Sequence, residues 1–403
     1  MAGLVSLEEA ISTLFQSLSK IEEIESSPLV ECVGRVLAED FIAPMSVPPL
    51  TNSAMDGFAL RSKDLKISAV LSVSQRIIAG SVGAMLHEGE AARIFTGAPL
   101  PEGADCVVMQ ENCLVSGNKV EILETVNSGD NLRLAGEDIK SGSTLLKSGV
   151  RLTPQDLGLV ASVGQSCLNI KRRLRVALLT TGNELIQPGK ELKPGQIYNS
   201  NFYALAALLK DMGCEIVQSG IVADSLELTK NTLEQVAPRV DCIITTGGVS
   251  VGEEDHVKDA VEANGHLDLW KLAIKPGKPF ASGKIKGKQF FGLPGNPVSA
   301  FVTFLLLVKP CLLSMLGSNN VRVNGQAVKA RFSSSSQSER QEYLRVNFQC
   351  DRKGMPYISR CENQSSGVGS SLAIADGLAV VPPHRKVVQG DYLEYISFSE
   401  LLR

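Results

Sequence analysis

The middle of the sequence alternates short apolar runs with longer amphipathic segments, and this alternation restricts the fold more than any other feature. The run–segment pairs are RVALLTTG with NSNFYALAALLKDMG, CEIVQSGIV with DSLELTKNTLEQVA, DCIITTGG with EEDHVKDAVEANG, and KQFFGLPG with NPVSAFVTFLLLV. Strands that alternate with helices form a parallel sheet that is covered by helices on both faces. The sequence therefore predicts a central, doubly wound parallel α/β domain.

The third apolar run leads into TTGGVSVGEEDH, Thr245–His256, which carries three glycines and three consecutive acids. Ligands of parallel α/β sheets bind at the carboxyl ends of the strands. Gly247 and Gly248 let the backbone approach a ligand closely, and successive N–H groups there can form an anion-binding nest. The start of the next helix, near Glu253, also favours phosphate. This segment predicts a site for a phosphorylated ligand.

Acidic residues follow three of the predicted strands. Glu184 lies in LLTTGNEL, Asp224 in GIVADS and Asp255 in the glycine-rich segment. Three carboxylates at one sheet edge predict a Mg²⁺ site, because Mg²⁺ is commonly held by few carboxylates together with phosphate oxygens. Taken singly, each acid is more often an N-cap or a turn residue. Glu253 and Glu254 equally fit a charged helix start.

Two further segments of the central region suit an anion. Lys275 and Lys278 flank a Pro-Gly pair in KLAIKPGKPFASGK, which predicts a rigid turn that presents two ammonium groups. The alternative is a solvated hairpin, and if the turn is exposed neither lysine affects stability. GLPGNPVS begins a helix with Pro297 at its first position. Ser299, in the first turn, can offer an N–H or a hydroxyl to an anion.

Other patterns flank the central region. A Ser6–Glu9 capping box predicts a first helix, and Thr153 as an N-cap predicts a second one in TPQDLGLVASVG. From about Pro44 to Gly136, short apolar runs alternate with glycine and proline, which is typical of a β-rich module. The C-terminal runs predict a small β-barrel or sandwich. We predict four domains: residues 1–43 plus 140–172, a mixed N-terminal linker domain; 44–139, the β-rich module; 173–325, the α/β domain; and 326–403, the barrel.

Composition and short motifs argue against several classes of protein. The 403 residues carry a net charge of −3, which gives no drive toward nucleic acid or membrane. Nine cysteines without CxxC and four histidines without HExxH give no support for zinc. The N-terminus lacks a signal peptide's pattern. The most apolar run, Ala300–Val308, is stopped by Lys309-Pro310, short of the roughly 20 residues of a membrane span. We expect a cytoplasmic protein.

Familiar nucleotide motifs do not occur. Neither G-x-G-x-x-G nor a Walker A sequence is present, which disfavours an ordinary dinucleotide fold or a P-loop ATPase. The β-rich module instead has two turn-rich segments, PPLTNSAMDGFAL with Asp56 and IFTGAPLPEGAD with Thr96. A turn role is the default for both residues. RLAGEDIKSG adds Asp138 close to a glycine.

Eight of these segments, in order, resemble one enzyme family. They are PPLTNSAMDGFA, IFTGAPLPEGADCVV, LRLAGEDIKSG, LLTTGNEL, GQIYNSN, TTGGVSVGEEDH, KLAIKPGKPFASGK and GLPGNPVSAFVTF. They resemble the molybdopterin molybdenumtransferases, or MoeA family, which also forms the C-terminal part of the animal scaffold gephyrin. The resemblance implies an L-shaped homodimer of four-domain subunits, with residues 1–43 plus 140–172 as the dimerisation domain. It also implies an enzyme that takes adenylylated molybdopterin and molybdate, with Mg²⁺, and releases AMP as molybdenum reaches the dithiolene.

The resemblance assigns site residues position by position. It implies catalytic roles for Asp56, Thr96, Asp138, Glu184 and Asp255; metal binding by Glu184, Asp224 and Asp255; and substrate binding by Gly247, Gly248, Ser250, Lys275, Lys278, Pro297, Ser299 and Ser371. Arg345 is a weaker candidate, like Ser371 in the tail's serine loop. In the family, the β-rich and α/β residues meet across the dimer interface. Ser225-Leu226 departs from the family, which often has an acid and a proline after the position of Asp224.

Two other functions remain open from the sequence. The central domain alone also resembles the sister enzymes that adenylylate molybdopterin, although the extra N- and C-terminal domains argue against that activity. A non-catalytic molybdopterin-binding scaffold is the other alternative, and the full set of acids argues against it. Expected partners are a second copy of the chain, a molybdopterin adenylyltransferase and the maturation factors of molybdoenzymes. Nucleic acid and membrane are not expected.

Overall fold

The computed structural model describes residues 3–248, 256–335 and 338–402. The first helix, Leu7–Ser17, begins at the predicted capping box: the Glu9 N–H donates to Ser6 Oγ (3.2 Å) and the Ser6 N–H donates to Glu9 Oε2 (3.0 Å). Its buried face belongs to the core of the α/β region. This helix is confirmed, because capping satisfies N–H groups that a helix start leaves free.

A small region is built from segments far apart in the chain. Ile24–Pro28 pairs antiparallel with Cys167–Lys171, and Phe41–Ile42 pairs with Thr144–Leu146. The helix Pro154–Ser162 has Thr153 as its N-cap, as predicted, with Asp156 completing a capping box. The chain therefore leaves this region near residue 43 and returns to it near residue 143.

The β-rich module is formed by the chain between these two points. Its six strands lie in the order Cys106–Met109, Gly57–Leu60, Glu90–Ile94, Val70–Ile77, Lys119–Ile122 and Cys113–Ser116. Two apolar cores pack against this sheet, one around Phe58 and Leu60 and the other around Ala59 and Ile94. At its base, Asn52–Ser53 pairs with Leu132–Arg133, so both connections to the rest of the chain lie side by side.

The central sheet contains the four predicted parallel strands and two more. The order is Glu215–Val222, Arg175–Thr181, Cys242–Thr246, Lys288–Leu293, Pro279–Ile285 and Gly265–Lys271. The first four run parallel to one another. The last two extend one edge of the sheet, and each of them pairs antiparallel with the strand before it. The sequence pattern did not predict these two strands. For Pro279–Ile285 the reason is that KPGKPFASGK is rich in proline, glycine and lysine, like a turn.

Helices cover both faces of this sheet, as the doubly wound pattern predicts. One face packs Leu178 and Ile244 with the helices Ser200–Asp211 and Pro297–Thr303. The other packs Leu179 and Ile243 with the helices Leu226–Val236 and His256–Asn264. Alternate residues of each strand thus enter opposite cores, as expected for a sheet buried on both sides.

One helical run is longer than the sequence predicts. Pro297–Thr303 continues through a π-helical turn, Phe304–Val308, into a helix at Lys309–Met315. The expectation that Lys309-Pro310 stops this run is wrong. Proline has no N–H to donate to the preceding turn, and a wider turn before it accommodates its ring. The run is apolar and long enough to cross a membrane, yet 89% of its most apolar window is buried inside the protein.

The C-terminal region is a closed five-stranded barrel, which confirms the predicted small β-barrel and excludes the sandwich. Its strands are Gln326–Ala330, Gln341–Cys350, Pro356–Arg360, Gly377–Val381 and Tyr392–Ser397. The barrel closes because Gln341–Cys350 pairs with both Pro356–Arg360 and Gly377–Val381. Ile274–Lys275 pairs with the start of the same long strand, so a strand of the α/β region lies against the barrel. Short helices follow at Ser370–Ile374 and Phe398–Leu402.

Lys309 links the long helical run to the C-terminal helix. Its side chain is buried, at 4% exposure, and its ammonium group donates to the Leu401 carbonyl oxygen. Burial lowers the pKa of Lys309 from its ordinary value of 10.5 to about 8, with Arg151 acting in the same direction and Asp211 opposing it. A neutral amine can still donate to the carbonyl, so the contact survives loss of the proton.

This pKa shift predicts a pH-dependent stability. Between about pH 8 and about pH 10.5 the unfolded chain holds the Lys309 proton that the folded chain has released, so the contribution of Lys309 to stability rises with pH. Relative to Lys309→Met, wild type should gain about 1–3 kcal/mol in free energy of unfolding between about pH 7 and about pH 10. Urea unfolding of both proteins at the two pH values measures it. A constant difference would contradict the shift.

Candidate functional site

The carboxyl edge of the parallel sheet is held together by a reciprocal hydrogen-bonded pair. The Asn183 N–H donates to Asp224 Oδ2 (2.9 Å), and the Asp224 N–H donates to Asn183 Oδ1 (3.1 Å). These residues follow adjacent strands, Arg175–Thr181 and Glu215–Val222. The pair fixes the half-buried Asp224 carboxylate beside the loop that carries Glu184.

Glu184 is exposed at the same edge. Its carbonyl oxygen accepts from the Ile197 N–H (2.9 Å), and the short strands Leu185–Ile186 and Ile197–Tyr198 pair next to it. Its carboxylate lies over Gly182, where a Cβ would come within 2.6 Å of Glu184 Oε2. With φ at 149°, Gly182 has a backbone conformation that other residues rarely adopt. Only glycine therefore allows this carboxylate position.

The predicted metal group is only partly described. Glu184 and Asp224 lie at neighbouring strand ends, whereas Asp255 lies outside the described residues. Over residues 3–248, 256–335 and 338–402, no group of three or more His, Cys, Asp or Glu side chains could hold a metal ion. Two carboxylates at one edge still suit Mg²⁺, which takes few protein ligands when phosphate oxygens and water complete its shell.

The glycine turn lies next to these acids. Gly247 and Gly248 have φ of 93° and 65°, and a Cβ on Gly247 would come within 2.6 Å of the Thr181 carbonyl oxygen. The Gly247 N–H donates to the Leu293 carbonyl oxygen (3.1 Å). That N–H is therefore committed to a neighbouring strand and is not available to an anion. Ser250, the other predicted residue of this turn, lies outside the described residues.

Two asparagines that were not predicted as site residues organise the same edge. Asn201 Nδ2 donates to Thr246 Oγ1 (3.1 Å) and to the Gly295 carbonyl oxygen (2.7 Å), and Asn199 Nδ2 donates to Thr180 Oγ1 (2.8 Å). Asn199 is also the N-cap of Ser200–Asp211. The NSN triplet between a predicted strand and a predicted helix was the available signal, since asparagine is a favoured N-cap.

The lysine turn joins the α/β region to the barrel. Lys275 Nζ lies 2.7 Å from Glu342 Oε1, and the Glu342 side chain is 5% exposed. Lys278 is exposed. Gly277, with φ at 108°, packs directly against the side chain of Thr303. Lys275 thus pairs with a buried carboxylate of the barrel, whereas the side chain of Lys278 makes no hydrogen bond or ion pair within the part of the chain that the structure describes.

A barrel loop covers the start of the helix Pro297–Thr303. The Val298 N–H donates to the Ser366 carbonyl oxygen (3.1 Å), and a Cβ on Gly369 would lie 3.6 Å from Pro297 Cβ. Ser299, in the same first turn, is 5% exposed. The predicted substrate residues Pro297 and Ser299 thus lie where the helix, the barrel loop and the sheet edge meet.

Arg345 organises this loop from inside the barrel. It is 1% exposed; its Nε donates to Ser371 Oγ (3.2 Å), and its Nη2 donates to the Ser365 carbonyl oxygen (3.1 Å). Ser371 Oγ in turn donates to the Val368 carbonyl oxygen (2.7 Å). Burial lowers the pKa of the Arg345 guanidinium below its ordinary value. Arg345 and Ser371 therefore hold the loop against Pro297, with Ser371 buried beneath it.

Asp56 and Thr96 form a pair on the β-rich module. Asp56 Oδ1 accepts from both the N–H and the Oγ1 of Thr96, each at 2.8 Å. These two hydrogen bonds, helped by the charge of Arg93, lower the pKa of the Asp56 carboxyl, so it is ionised near neutral pH. Asp138, also exposed, donates its N–H to the Val47 carbonyl oxygen (3.1 Å).

The predicted residues thus fall into two groups. Glu184, Asp224, Gly247 and Gly248 lie at the sheet edge, with Lys275, Pro297, Ser299 and Ser371 around the barrel contact. Asp56, Thr96 and Asp138 lie on the β-rich module. Within the described part of the chain, no hydrogen bond or ion pair links the second group to the first.

Comparisons with known proteins match the whole architecture. Residues 5–164 match the family described as "MoeA N-terminal region (domain I and II)", residues 177–314 "Probable molybdopterin binding domain", and residues 327–398 "MoeA C-terminal region (domain IV)". A molybdopterin molybdenumtransferase of Haemophilus influenzae is 41% identical over 78% of this chain and 78% of its own length. One from Staphylococcus epidermidis is 31% identical over 94% and 91%.

A solved structure agrees over the whole chain. The crystal structure of a molybdopterin biosynthesis MoeA protein from Pyrococcus horikoshii OT3 is similar with a TM-score of 0.84 and 30% sequence identity. The similarity covers 98% of this chain and 99% of that one. The resemblance first seen in eight short segments therefore extends through the barrel, which lies outside them.

The Lys275–Glu342 pair predicts that the two lysines differ in their effect on stability. Lys275→Ala leaves the buried Glu342 carboxylate without this charged donor, and we expect a loss of about 1–3 kcal/mol in free energy of unfolding. Lys278→Ala, the matched control in the same turn, should change it by less than about 0.5 kcal/mol. Urea unfolding of the three proteins tests this. Equal losses in both variants would contradict the structural role of Lys275.

Proposed function

The chain belongs to the molybdopterin molybdenumtransferase family and transfers molybdenum to molybdopterin, and we propose that it does so from molybdate onto adenylylated molybdopterin with release of AMP. The observation that carries this proposal is the sheet edge. There, the Asn183–Asp224 pair, Glu184 and the Gly247–Gly248 turn are brought together beside a loop of the barrel. Such an edge suits a polyanionic nucleotide ligand.

Glu184 and Asp224 would hold Mg²⁺, with Asp255 as a third ligand. In support, the Asn183 N–H binds one oxygen of Asp224, which fixes the carboxylate at the edge. When bound, Mg²⁺ supplies positive charge that stabilises the phosphate oxygens of the leaving nucleotide. The glycine turn allows the chain to pass close to those phosphates. The work of the protein is thus electrostatic and positional, and it needs no covalent nucleophile.

Molybdate would bind near Lys278, Ser299 and the barrel loop. Lys278 is exposed next to the structural Lys275–Glu342 pair, so its ammonium group can approach an oxyanion. Arg345 and Ser371 keep the barrel loop against Pro297 and thereby shape this side of the site. An exposed ammonium group beside the barrel contact suits a tetrahedral dianion, because charged hydrogen bonds are the strong ones.

The second group of residues would act in a partner subunit's site. Asp56, Thr96 and Asp138 are exposed on the β-rich module and have no described contact with the sheet edge of their own chain. We propose a homodimer in which the ionised Asp56 of one subunit completes the edge of the other. The protein would work in the cytoplasm, receive substrate from a molybdopterin adenylyltransferase and pass product to molybdoenzyme maturation factors.

One assay separates this reaction from its alternatives. The protein is incubated with adenylylated molybdopterin, molybdate and Mg²⁺, while AMP and molybdenum-loaded pterin are quantified together. We expect both products to appear in equal amounts. An adenylyltransferase would instead consume ATP with free molybdopterin, and a scaffold would bind the pterin without releasing AMP. Either of those results would overturn the proposed reaction.

Asp255 provides a sharp test of the metal role. Asp255→Asn keeps the side chain's size and its fitness for a helix start, since asparagine caps as well as aspartate. It removes the anionic oxygen that Mg²⁺ prefers. We expect normal folding and pterin binding, with Mg²⁺-dependent AMP release lowered at least about tenfold, or roughly 1.4 kcal/mol in barrier.

The control for Asp255 is its neighbour Glu253, which carries the same charge two residues earlier. Glu253→Gln should have a mild effect. AMP release is measured against Mg²⁺ concentration for the three proteins. If Asp255→Asn follows wild type through the titration, the acid run is only a charged helix start.

The shared site predicts complementation between inactive variants. Asp56→Ala and Asp255→Ala should each abolish most activity, because each removes one half of every composite site. After subunit exchange, a mixed dimer carries one intact site, so we expect activity approaching half of wild type per mixed dimer. Tagged subunits measure how many mixed dimers form. Mixed dimers that form and remain inactive would argue against a site shared between subunits.

A further inference from the structure

The Arg93 side chain of the β-rich module contacts residues next to both Asp56 and Thr96 in the chain. Arg93 lies in the strand Glu90–Ile94, directly opposite Phe58 on the neighbouring strand. Its Nη1 donates to the Gly57 carbonyl oxygen (2.8 Å), and its Nη2 donates to Gln110 Oε1. The Gly57 carbonyl belongs to the residue that follows Asp56.

Gln110 connects Arg93 with the backbone of Asp56. Its backbone N–H donates to the Asp56 carbonyl oxygen (3.1 Å), while its side chain accepts from Arg93. Arg93 therefore reaches the backbone around Asp56 by two routes, directly at Gly57 and through Gln110. The backbone of Asp56 is therefore held at its own carbonyl and at the next one, which fixes the position from which its carboxylate reaches Thr96.

The Arg93 guanidinium also lies between two aromatic rings. Its carbon is 5.2 Å from the centre of the Phe58 ring and 4.7 Å from the centre of the Phe95 ring. Phe58 comes two residues after Asp56, and Phe95 comes immediately before Thr96. Guanidinium groups stack favourably on aromatic faces. One planar group thus connects the chain segment of Asp56 with that of Thr96.

We infer that Arg93 is a positioning residue for the proposed reaction, which fixes the Asp56 carboxylate on Thr96 so that its other oxygen faces the composite site. This inference rests on the proposed function. It adds a residue that is not itself expected to touch the substrate. Arginine suits the task and lysine does not, because only a planar fork can serve two acceptors while stacking between two rings.

A neighbouring arginine provides a matched control. Arg76, on the next strand, lies over the same Phe95 ring at 4.9 Å, and it sits beside Arg93 in the register of the sheet. Within the described residues, Arg76 makes no hydrogen bond to Gly57 or to Gln110. Arg76 therefore shares the charge and the aromatic partner of Arg93 but lacks its connection to the Asp56 backbone.

The test compares Arg93→Met, Arg93→Lys and Arg76→Met in steady-state assays of AMP release. We expect Arg93→Met to lower kcat at least about tenfold, because small displacements of a catalytic group are costly. Arg93→Lys should restore little of this loss, since it keeps the charge and not the fork. Arg76→Met should remain within about twofold of wild type, since surface changes usually have small effects.

A double-mutant cycle separates positioning from general stability. If Arg93 acts through Asp56, then Arg93→Met combined with Asp56→Asn should be no slower than Asp56→Asn alone. Additive losses would overturn the inference, as would wild-type kcat in Arg93→Met. Should Arg93→Met fold poorly, the same cycle is run with Arg93→Lys, where the same two outcomes decide.

An activity-independent measurement keeps the inference distinct from the proposed function. Amide hydrogen exchange reports whether the Thr96 N–H stays bonded to Asp56. We expect faster exchange at Thr96 in Arg93→Met and wild-type exchange in Arg76→Met. Unchanged exchange in Arg93→Met would overturn the positioning role. A wild-type protein without AMP release would overturn the proposed function alone and leave the exchange result standing.

Discussion

The parallel register of four strands is the constraint on which the site depends. Thr181 lies opposite Val222, and Thr180 lies opposite Thr246, which in turn lies opposite Leu293. Four chain segments must therefore leave the sheet at one edge, whatever their sequences. The Asn183–Asp224 pair and the contacts of Asn201 then fix how these segments turn. The acids and glycines converge there because a doubly wound sheet has only one carboxyl edge.

The barrel contributes to this edge through a few polar contacts. The Lys275–Glu342 pair joins the lysine turn to the barrel's long strand, and the Ser366 carbonyl holds the first turn of the helix at Pro297. Arg345, on the same long strand, holds the loop that contains Ser366. The barrel thus fixes the start of this helix and the lysine turn, and in the proposed site it would shape the side at which molybdate binds.

Local sequence patterns predicted the features that depend on interactions between residues close together in the chain. Helix caps at Ser6 and Thr153, the alternating strands and helices, and the turns that carry the acids follow from residues within a few positions of one another. The Lys275–Glu342 pair, 67 residues apart, and the stacking of Arg93 on Phe58 depend on the assembled fold. Two edge strands were missed. Pro279–Ile285 has a turn-like composition, and both it and Gly265–Lys271 depend on pairing with a neighbouring strand, which no local pattern reveals.

The β-rich module enters and leaves the protein through adjacent strands, Asn52–Ser53 and Leu132–Arg133. Its two ends therefore lie as close together as the ends of a short surface loop. An ancestral gene could gain or exchange such a unit without rerouting the surrounding chain, because the host needs only to close a small gap. The module that carries Asp56 and Thr96 is therefore a unit whose size and sequence can change without altering the path of the central sheet.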